Sequence, residues 1–189
     1  MRKIVLYMMI TIDGFISGPD EGVEYFEPTV EEHLFANKAF ASVDGVVFGR
    51  TIYQGFISYW DTLDLTLEVG REAEIEFAKI FRKLHRVVVS RTLTQIGEHT
   101  DLIKDNLADR IGLIKQQVGR DYLLVCGPEL LATLMADKLV DELMLLVMPK
   151  VLGRGKALFG QMQVKPKLNL LSLKRFESGS VLHHYACVA

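Results

Sequence analysis

Three short segments of this 189-residue chain pass from an apolar run into small, hydroxyl-bearing or cationic residues: Phe48-Gly49-Arg50-Thr51, Val89-Ser90-Arg91-Thr92 and Val125-Cys126-Gly127-Pro128-Glu129. If each apolar run is a strand of an open α/β sheet, the residues after it stand where ligands collect, beyond the carboxyl ends of the strands. Helix N-termini at such places present free N–H groups to anions. Gly49 and Gly127 would let backbone approach a pyrophosphate, and Arg50 and Arg91 could hold a terminal phosphate in bidentate fashion. Pro128 suits the first position of a helix, where its missing N–H has no partner in any case. No G-x-G-x-x-G follows a strand and no Walker A sequence occurs, so the glycines specify neither a Rossmann nor a P-loop site.

The titratable residues are sparser. Thr29-Val30-Glu31-Glu32 is a capping box, with Glu32 and His33 on the first turn of the helix it starts. A carboxylate or an imidazole there could handle a proton. Neighbours on a helix point about 100° apart, so only one of the pair is expected to face a common pocket. His183 and His184 adjoin on an expected strand and should point to opposite faces, while His85 and His99 stand beside basic or loop residues, so no metal site is expected. Cys126 and Cys187 both lie in apolar runs, which suggests neither a disulfide framework nor a zinc site and fits a reducing cytoplasm.

The elements that must position these residues follow from periodicity. Ile4 to Ile12 is a nearly unbroken apolar run, expected as a strand buried on both faces, followed by a long turn-rich loop marked by Asp13-Gly14 and Gly18-Pro19. The helix after Thr29 should carry Leu34, Phe35, Ala39 and Phe40 to the core. Val46 to Phe48 is a short buried strand. Ala73, Phe77, Ile80, Phe81 and Leu84 recur at helical spacing ahead of a strand from Val87 to Ser90. A helix over Asn106 to Gly119, a strand over Tyr122 to Cys126, a helix over Glu129 to Ala136 and a strand over Glu142 to Met148 continue the alternation. Between Leu168 and Val188, two strands flank Ser178-Gly179-Ser180 as a closing hairpin. The pattern describes an α/β fold with a mixed, mostly parallel sheet and helices on both faces.

Composition sets the frame. At 49% hydrophobic and 24% charged residues, with Lys+Arg 22 against Asp+Glu 24, the chain has no basic excess for nucleic acid. A chain of this length can bury roughly 70% of its unfolded surface, and no repeat or linker divides residues 1–189, so one domain is expected. Met1-Arg2-Lys3 and the run after it resemble the start of a signal peptide, but Asp13 ends the run and no small-residue cleavage site follows. No apolar run reaches the roughly 18 residues of a membrane span. A cytoplasmic protein is the expectation.

The order and spacing of the segments resemble the dihydrofolate-reductase-like superfamily, and within it the branch that includes the C-terminal reductase domain of the riboflavin-biosynthesis deaminase/reductase. The matching pieces are Thr11 to Ile16, Phe48 to Tyr53, Val88 to Thr92, and Gly127-Pro128-Glu129-Leu130 through Leu139-Val140-Asp141-Glu142 to Pro149 and Phe159. No H-x-E with a P-C-x-x-C pair is present, so the deaminase half is not expected in this chain. The resemblance implies a three-layer dihydrofolate-reductase-like fold, NADPH as cofactor and a homodimer. It implies that Met9 and Ile16 border the nicotinamide and that Gly49, Arg50, Thr51 and Ile52 lie at the pyrophosphate and adenosine phosphates. Ser90 and Arg91 would read the 2′-phosphate, and Cys126, Gly127, Pro128, Glu129 and Leu130 would hold the central phosphates. Asp13 and Tyr53 are placed toward the substrate, and Glu32 or His33 at the position of the helix carboxylate that helps protonate pterin. The chain departs from the family where Cys126-Gly127 replaces the usual Gly-Gly and where Ile52 replaces a frequent Thr.

The activity so implied is hydride transfer from NADPH to a small heterocycle, pterin-like or ribosylaminopyrimidine-like, or to another unsaturated substrate. The alternatives are a nucleotide-binding or assembly module without turnover, and a protein that uses its sheet only as a homodimer surface. Leu168, Leu170, Leu171 and Leu173 give the C-terminal strand the apolar character that a covered sheet edge requires.

Overall fold

The computed structural model of the chain describes residues 1–20, 22–23, 25–66 and 71–188. Ile4–Thr11 forms β1, and its apolar run places it inside an eight-stranded sheet, where only Met9 is less than fully buried. The other strands of this sheet are β3 (Gly45–Gly49), β4 (His85–Val89), β5 (Thr100–Ile103), β6 (Tyr122–Val125), β7 (Glu142–Met148), β9 (Lys167–Arg175) and β10 (Val181–Val188). Their spatial order is β5-β4-β3-β6-β1-β7-β10-β9. The first six in that order are parallel, and the β9–β10 hairpin closes the sheet antiparallel to β7. Helices cover both faces: α1 (Val30–Ala41), α2 (Arg50–Phe56), α3 (Glu72–Lys83), α4 (Leu107–Gln116) and α5 (Pro128–Ala136). Among the described residues no helix is long and apolar enough to cross a membrane.

Most expected elements form close to where periodicity puts them, and the differences have physical causes. The loop after β1 is pinned by a two-stranded ribbon, β2 (Phe15–Ser17) against β8 (Lys156–Ala157). Gly155 makes that pairing possible, because a Cβ there would lie 2.2 Å from the Ser17 carbonyl oxygen. The residues after Gly49 form α2 and then a π-helical turn, Ile57–Asp61, which pack Ile52, Tyr53, Phe56, Ile57 and Trp60 on the core at helical spacing. In α1 the expected inward residue Leu34 is exposed, and Glu32 and Asn37 are buried instead. Asn37 earns its place by donating from Nδ2 to the Ala73 carbonyl at 2.9 Å, which ties α1 to α3. Tyr7 of β1 packs on Phe35 and Phe40, and Phe40 on Phe77, so α1 and α3 share one face of the sheet.

The hairpin leaves an apolar surface. A bulge at Leu171 shifts the register between β9 and β10, so Leu168, Leu170 and Leu173 pair with Cys187, Tyr185 and His183 and all lie on one face. The opposite face lays Lys174 over the rings of Phe35 and Phe176. Leu170, Leu171 and Leu173 are each more than half exposed, on an edge strand with unpaired backbone groups. We propose that a second copy of the chain covers this face. Sedimentation equilibrium at micromolar concentration is expected to give twice the 21.3 kDa chain mass, and Leu170→Asp with Leu173→Asp is expected to give the monomer. A wild-type monomer at that concentration would exclude the assembly.

Candidate functional site

The carboxyl ends of β1, β3, β4, β6 and β7 open into one cavity of about 910 Å³. Its head lies between β3 and β6, adjacent strands whose outgoing connections diverge: β3 leads toward β4 and β6 toward β7, on opposite sides in the strand order. Right-handed crossovers then send the two connections to opposite faces, leaving a crevice between the strand ends. Gly49 and Gly127 face each other there, both with extended backbone as the residues capping α2 and α5. A Cβ on Gly49 would stand 3.8 Å from the Gly127 nitrogen. A Cβ on Gly127 would meet nothing nearer than Glu129 Oε2 at 3.4 Å, so the space before this backbone is open.

The structure brings Met9, Ile16, Glu32, His33, Gly49, Arg50, Thr51, Ile52, Gly127, Glu129 and Leu130 to the cavity wall. Both Glu32 and His33 border it, because the wall follows the start of α1 around more than one helical face. Arg91 is exposed two residues beyond Val89, and β3 and β4 are in register at Gly49 and Val89, so Arg50 and Arg91 leave neighbouring strand ends. Neither forms an ion pair among the described residues. Ser90 is turned inward, its Oγ accepting from the Leu93 amide at 3.0 Å and the Thr92 amide at 3.3 Å. Cys126 and Pro128 are buried behind the Gly127 turn. Burial pushes the Cys126 thiol up, which makes it an apolar filler and no nucleophile.

The residues placed toward substrate and proton transfer have other duties. Tyr53 is fully buried on the far side of α2, where its hydroxyl accepts from the Gly97 amide at 2.9 Å. Asp13 lies outside the cavity wall and clamps the 149–155 loop. Its carboxylate accepts from Thr11 Oγ1 at 2.6 Å and from the amides of Gly153 at 2.7 Å and Leu152 at 3.2 Å. The hydroxyl of Thr11 and then these amides hold the Asp13 carboxyl below its ordinary range. Glu32 Oε1 accepts from Ser178 Oγ at 2.6 Å and from Ser180 Oγ, and Oε2 accepts from the Thr29 amide at 2.6 Å, completing the capping box. Burial alone would raise its pKa, but these donors outweigh burial and hold the carboxyl low. Glu32 is therefore an ionised brace from α1 to the hairpin turn, a poor proton donor. His33 is pushed down by burial, with Glu74 and Glu32 partly opposing, and its ring makes no hydrogen bond among the described residues.

The rest of the wall was not read from the sequence. Phe26, Phe56, Tyr59, Trp60, Glu74, Phe77 and Lys156 all border the cavity. The aromatic density of Phe56 to Trp60, including the chain's one tryptophan, was the available signal.

Fold and cavity together describe an α/β protein with a mostly parallel sheet and an open crevice at its carboxyl edge. Residues 2–182 match the RibD C-terminal domain family, and the chain belongs to that family. YyaP of Bacillus subtilis (strain 168), an uncharacterized protein, is 28% identical over 188 residues, covering 97% of this chain and 95% of its own. A pyrimidine reductase-like protein from Corynebacterium diphtheriae superposes with a TM-score of 0.67 at 11% identity, covering all of this chain and 92% of that one. The diaminohydroxyphosphoribosylaminopyrimidine deaminase/5-amino-6-(5-phosphoribosylamino)uracil reductase of Thermotoga maritima gives 0.69 at 13% identity, covering 99% of this chain and 57% of that one.

The Glu32 brace has a pH signature. A carboxyl with a depressed folded-state pKa stabilises the fold above about pH 4.3, where an unfolded glutamate titrates, and the gain is lost as pH falls through the lower folded value. Glu32→Gln is expected to cost about 2 kcal/mol at pH 7, since hydrogen bonds to a charged group are each of that order. The deficit is expected to narrow at pH 4 and below. Urea unfolding followed by circular dichroism at both pH values measures it, and equal stabilities at pH 7 would remove the brace.

Proposed function

We propose that the chain is an NADPH-dependent reductase that transfers a hydride to a small unsaturated heterocycle. The observation that carries this is the facing pair Gly49 and Gly127 at the head of the cavity, with Arg50 and Arg91, neither ion-paired among the described residues, on neighbouring strand ends. The chemistry fits a dinucleotide phosphate. Open backbone at Gly127 leaves room for a pyrophosphate against the first turn of α5, where free N–H groups favour anions. Arg50 and Arg91 supply guanidinium forks for a further phosphate. The exposed Glu129 side chain beside Gly127 must turn outward to admit it. Met9 and Ile16 offer the apolar border that a nicotinamide ring needs, and membership of the RibD C-terminal domain family supports the same reading.

When bound, the reduced nicotinamide supplies two electrons and a proton as hydride, and the acceptor needs one further proton. Glu32 holds its charge and stays out of that transfer. His33, neutral near pH 7, is the group on α1 placed to relay a proton from water into the cavity.

NADPH is expected to bind more than about tenfold tighter than NADH, because a charge-assisted phosphate contact contributes roughly 1.5–3 kcal/mol. Arg91→Ala is expected to erase the preference in calorimetric titration. Equal wild-type affinities would remove the 2′-phosphate assignment, and tight NADPH binding with no oxidation across a panel of heterocycles would favour a binding module. Gly127→Val puts a branched side chain into the open space, and NADPH affinity should fall at least about tenfold, or 1.4 kcal/mol. If that variant is folded by circular dichroism and binds NADPH normally, the cofactor lies elsewhere.

A further inference from the structure

Among the described residues, three buried side-chain polar atoms have no hydrogen-bond partner: Nε of Arg2, Nε of Arg86 and Oδ1 of Asn37. The two arginines are engaged through their other guanidinium nitrogens, Arg2 with Asp44 and Arg86 with Asp61. Asn37 differs in kind. Its Nδ2 donates to the Ala73 carbonyl at 2.9 Å, which fixes the end of the amide that carries the oxygen. Oδ1 is therefore a fixed acceptor without a donor, on a residue only 3% exposed. Folded proteins seldom leave such a group unanswered, because its desolvation is uncompensated.

One turn away on α1 stands a group with the complementary lack. His33 precedes Asn37 by four residues, so the two share a helix face with Cβ atoms about 5–6 Å apart. That face turns to α3: Asn37 meets Ala73, and one turn further Phe40 meets Phe77 with ring centroids 4.8 Å apart. Helical side chains lean toward the N-terminus, which carries the Asn37 amide back over the turn of His33. The His33 ring borders the cavity, is partly buried and makes no hydrogen bond among the described residues. Both nearby carboxylates are engaged elsewhere, Glu32 by Ser178, Ser180 and Thr29, and Glu74 by Arg71 and Tyr59. Of the ring nitrogens, Nδ1 is nearer the backbone and matches the short reach of an asparagine, while Nε2 is at the tip.

We propose that Asn37 is the positioning residue of His33: its Oδ1 accepts from Nδ1–H, which holds the neutral ring in one tautomer and leaves Nε2 bare toward the cavity. The inference rests on the reading of His33 as the proton relay of a reductase, and its test separates the two. In that relay Nε2 takes a proton from water and passes it to the acceptor atom beside the carbon that receives the hydride, so the acceptor gains one hydride and one proton and Nε2 ends bare again. Nδ1 keeps its proton throughout. An amide oxygen orients the ring without placing a charge beside it, as a carboxylate in the same place would.

The histidine side-chain nitrogen resonances of the full chain, recorded without cofactor above neutral pH, read the tautomer directly, because a bare ring nitrogen resonates far downfield of a protonated one. His33→Gln assigns the signal among the five histidines. The wild-type chain is expected to show His33 protonated at Nδ1 and bare at Nε2. A ring protonated mainly at Nε2, the form a solvated imidazole prefers, overturns the inference, and this wild-type spectrum decides the matter even if no variant folds. Two variants that both lose the Ala73 bond separate orientation from helix packing. Asn37→Leu removes the acceptor and is expected to return His33 to the Nε2–H form, whereas Asn37→Asp keeps an acceptor and is expected to retain Nδ1–H. If both variants are folded by circular dichroism and leave the His33 signals in the same state, Asn37 serves helix packing alone and the inference falls. NADPH oxidation across the panel of heterocycles is read separately, and its absence would end the reductase reading while leaving the tautomer result intact.

Discussion

The crevice between β3 and β6 exists because two neighbouring parallel strands must hand the chain on in opposite directions. A right-handed crossover is nearly obligatory between parallel strands, so the direction of travel fixes the face on which each connection lies. The chain leaves β3 toward β4 and leaves β6 toward β7, and the ground between the two exits cannot be covered by either connection. Gly49 and Gly127 mark those exits. Their lack of side chains keeps open what the topology leaves uncovered, and the helices capped by them direct N-termini into the same space.

Around this opening, charged residues serve mainly as fasteners. Asp13 fixes the 149–155 loop to the end of β1, and with the β2–β8 ribbon it holds Lys156 at the cavity wall. Glu32 fixes α1 to the Ser178–Ser180 turn, so the helix that forms one side of the cavity is referenced to the closing hairpin. Arg86, almost fully buried, reaches Asp61 at 2.8 Å and thereby anchors the π-helical turn that carries Tyr59 and Trp60. Glu32 and Arg86 are buried, and a buried charge survives only when it is paired, while the exposed Asp13 gains its hold from two loop amides. Each of these pairs therefore records where two distant parts of the chain must stay together.

That is also where the sequence was hardest to read. Periodicity located β1, β3, β6 and α3 because every residue on the relevant face answers to the same core. It misplaced Leu34 and overlooked Asn37, since a polar residue with one good backbone acceptor 36 positions away leaves no local trace. The β2–β8 ribbon spans three residues on one side and two on the other, separated by most of the chain, and short nonlocal pairings have no period. Among the candidate site residues, Gly49 and Gly127 were legible as strand-end glycines, and the structure sets them against each other across the crevice. Glu32 had the right chemistry for proton transfer and Asp13 for holding a substrate, yet the partners that engage them as braces, Ser178, Ser180 and Gly153, are known only from the fold.

The absence of a contiguous nucleotide motif follows from the same geometry. A Rossmann or P-loop site gathers its glycines in one turn because a single strand–helix junction does all the cradling. Here the crevice has two banks that belong to separate junctions, and each needs only one glycine to let backbone come close. The residues that the proposed cofactor reading uses are divided accordingly: one glycine and one arginine at the end of β3, one arginine beyond β4, one glycine at the end of β6. No one of these is distinctive alone. Distributed over three junctions, they place no strict demand on the residues beside them, so Cys126 can fill the core behind Gly127, and Ile52 can turn an apolar side chain to the cavity where a hydroxyl would otherwise stand.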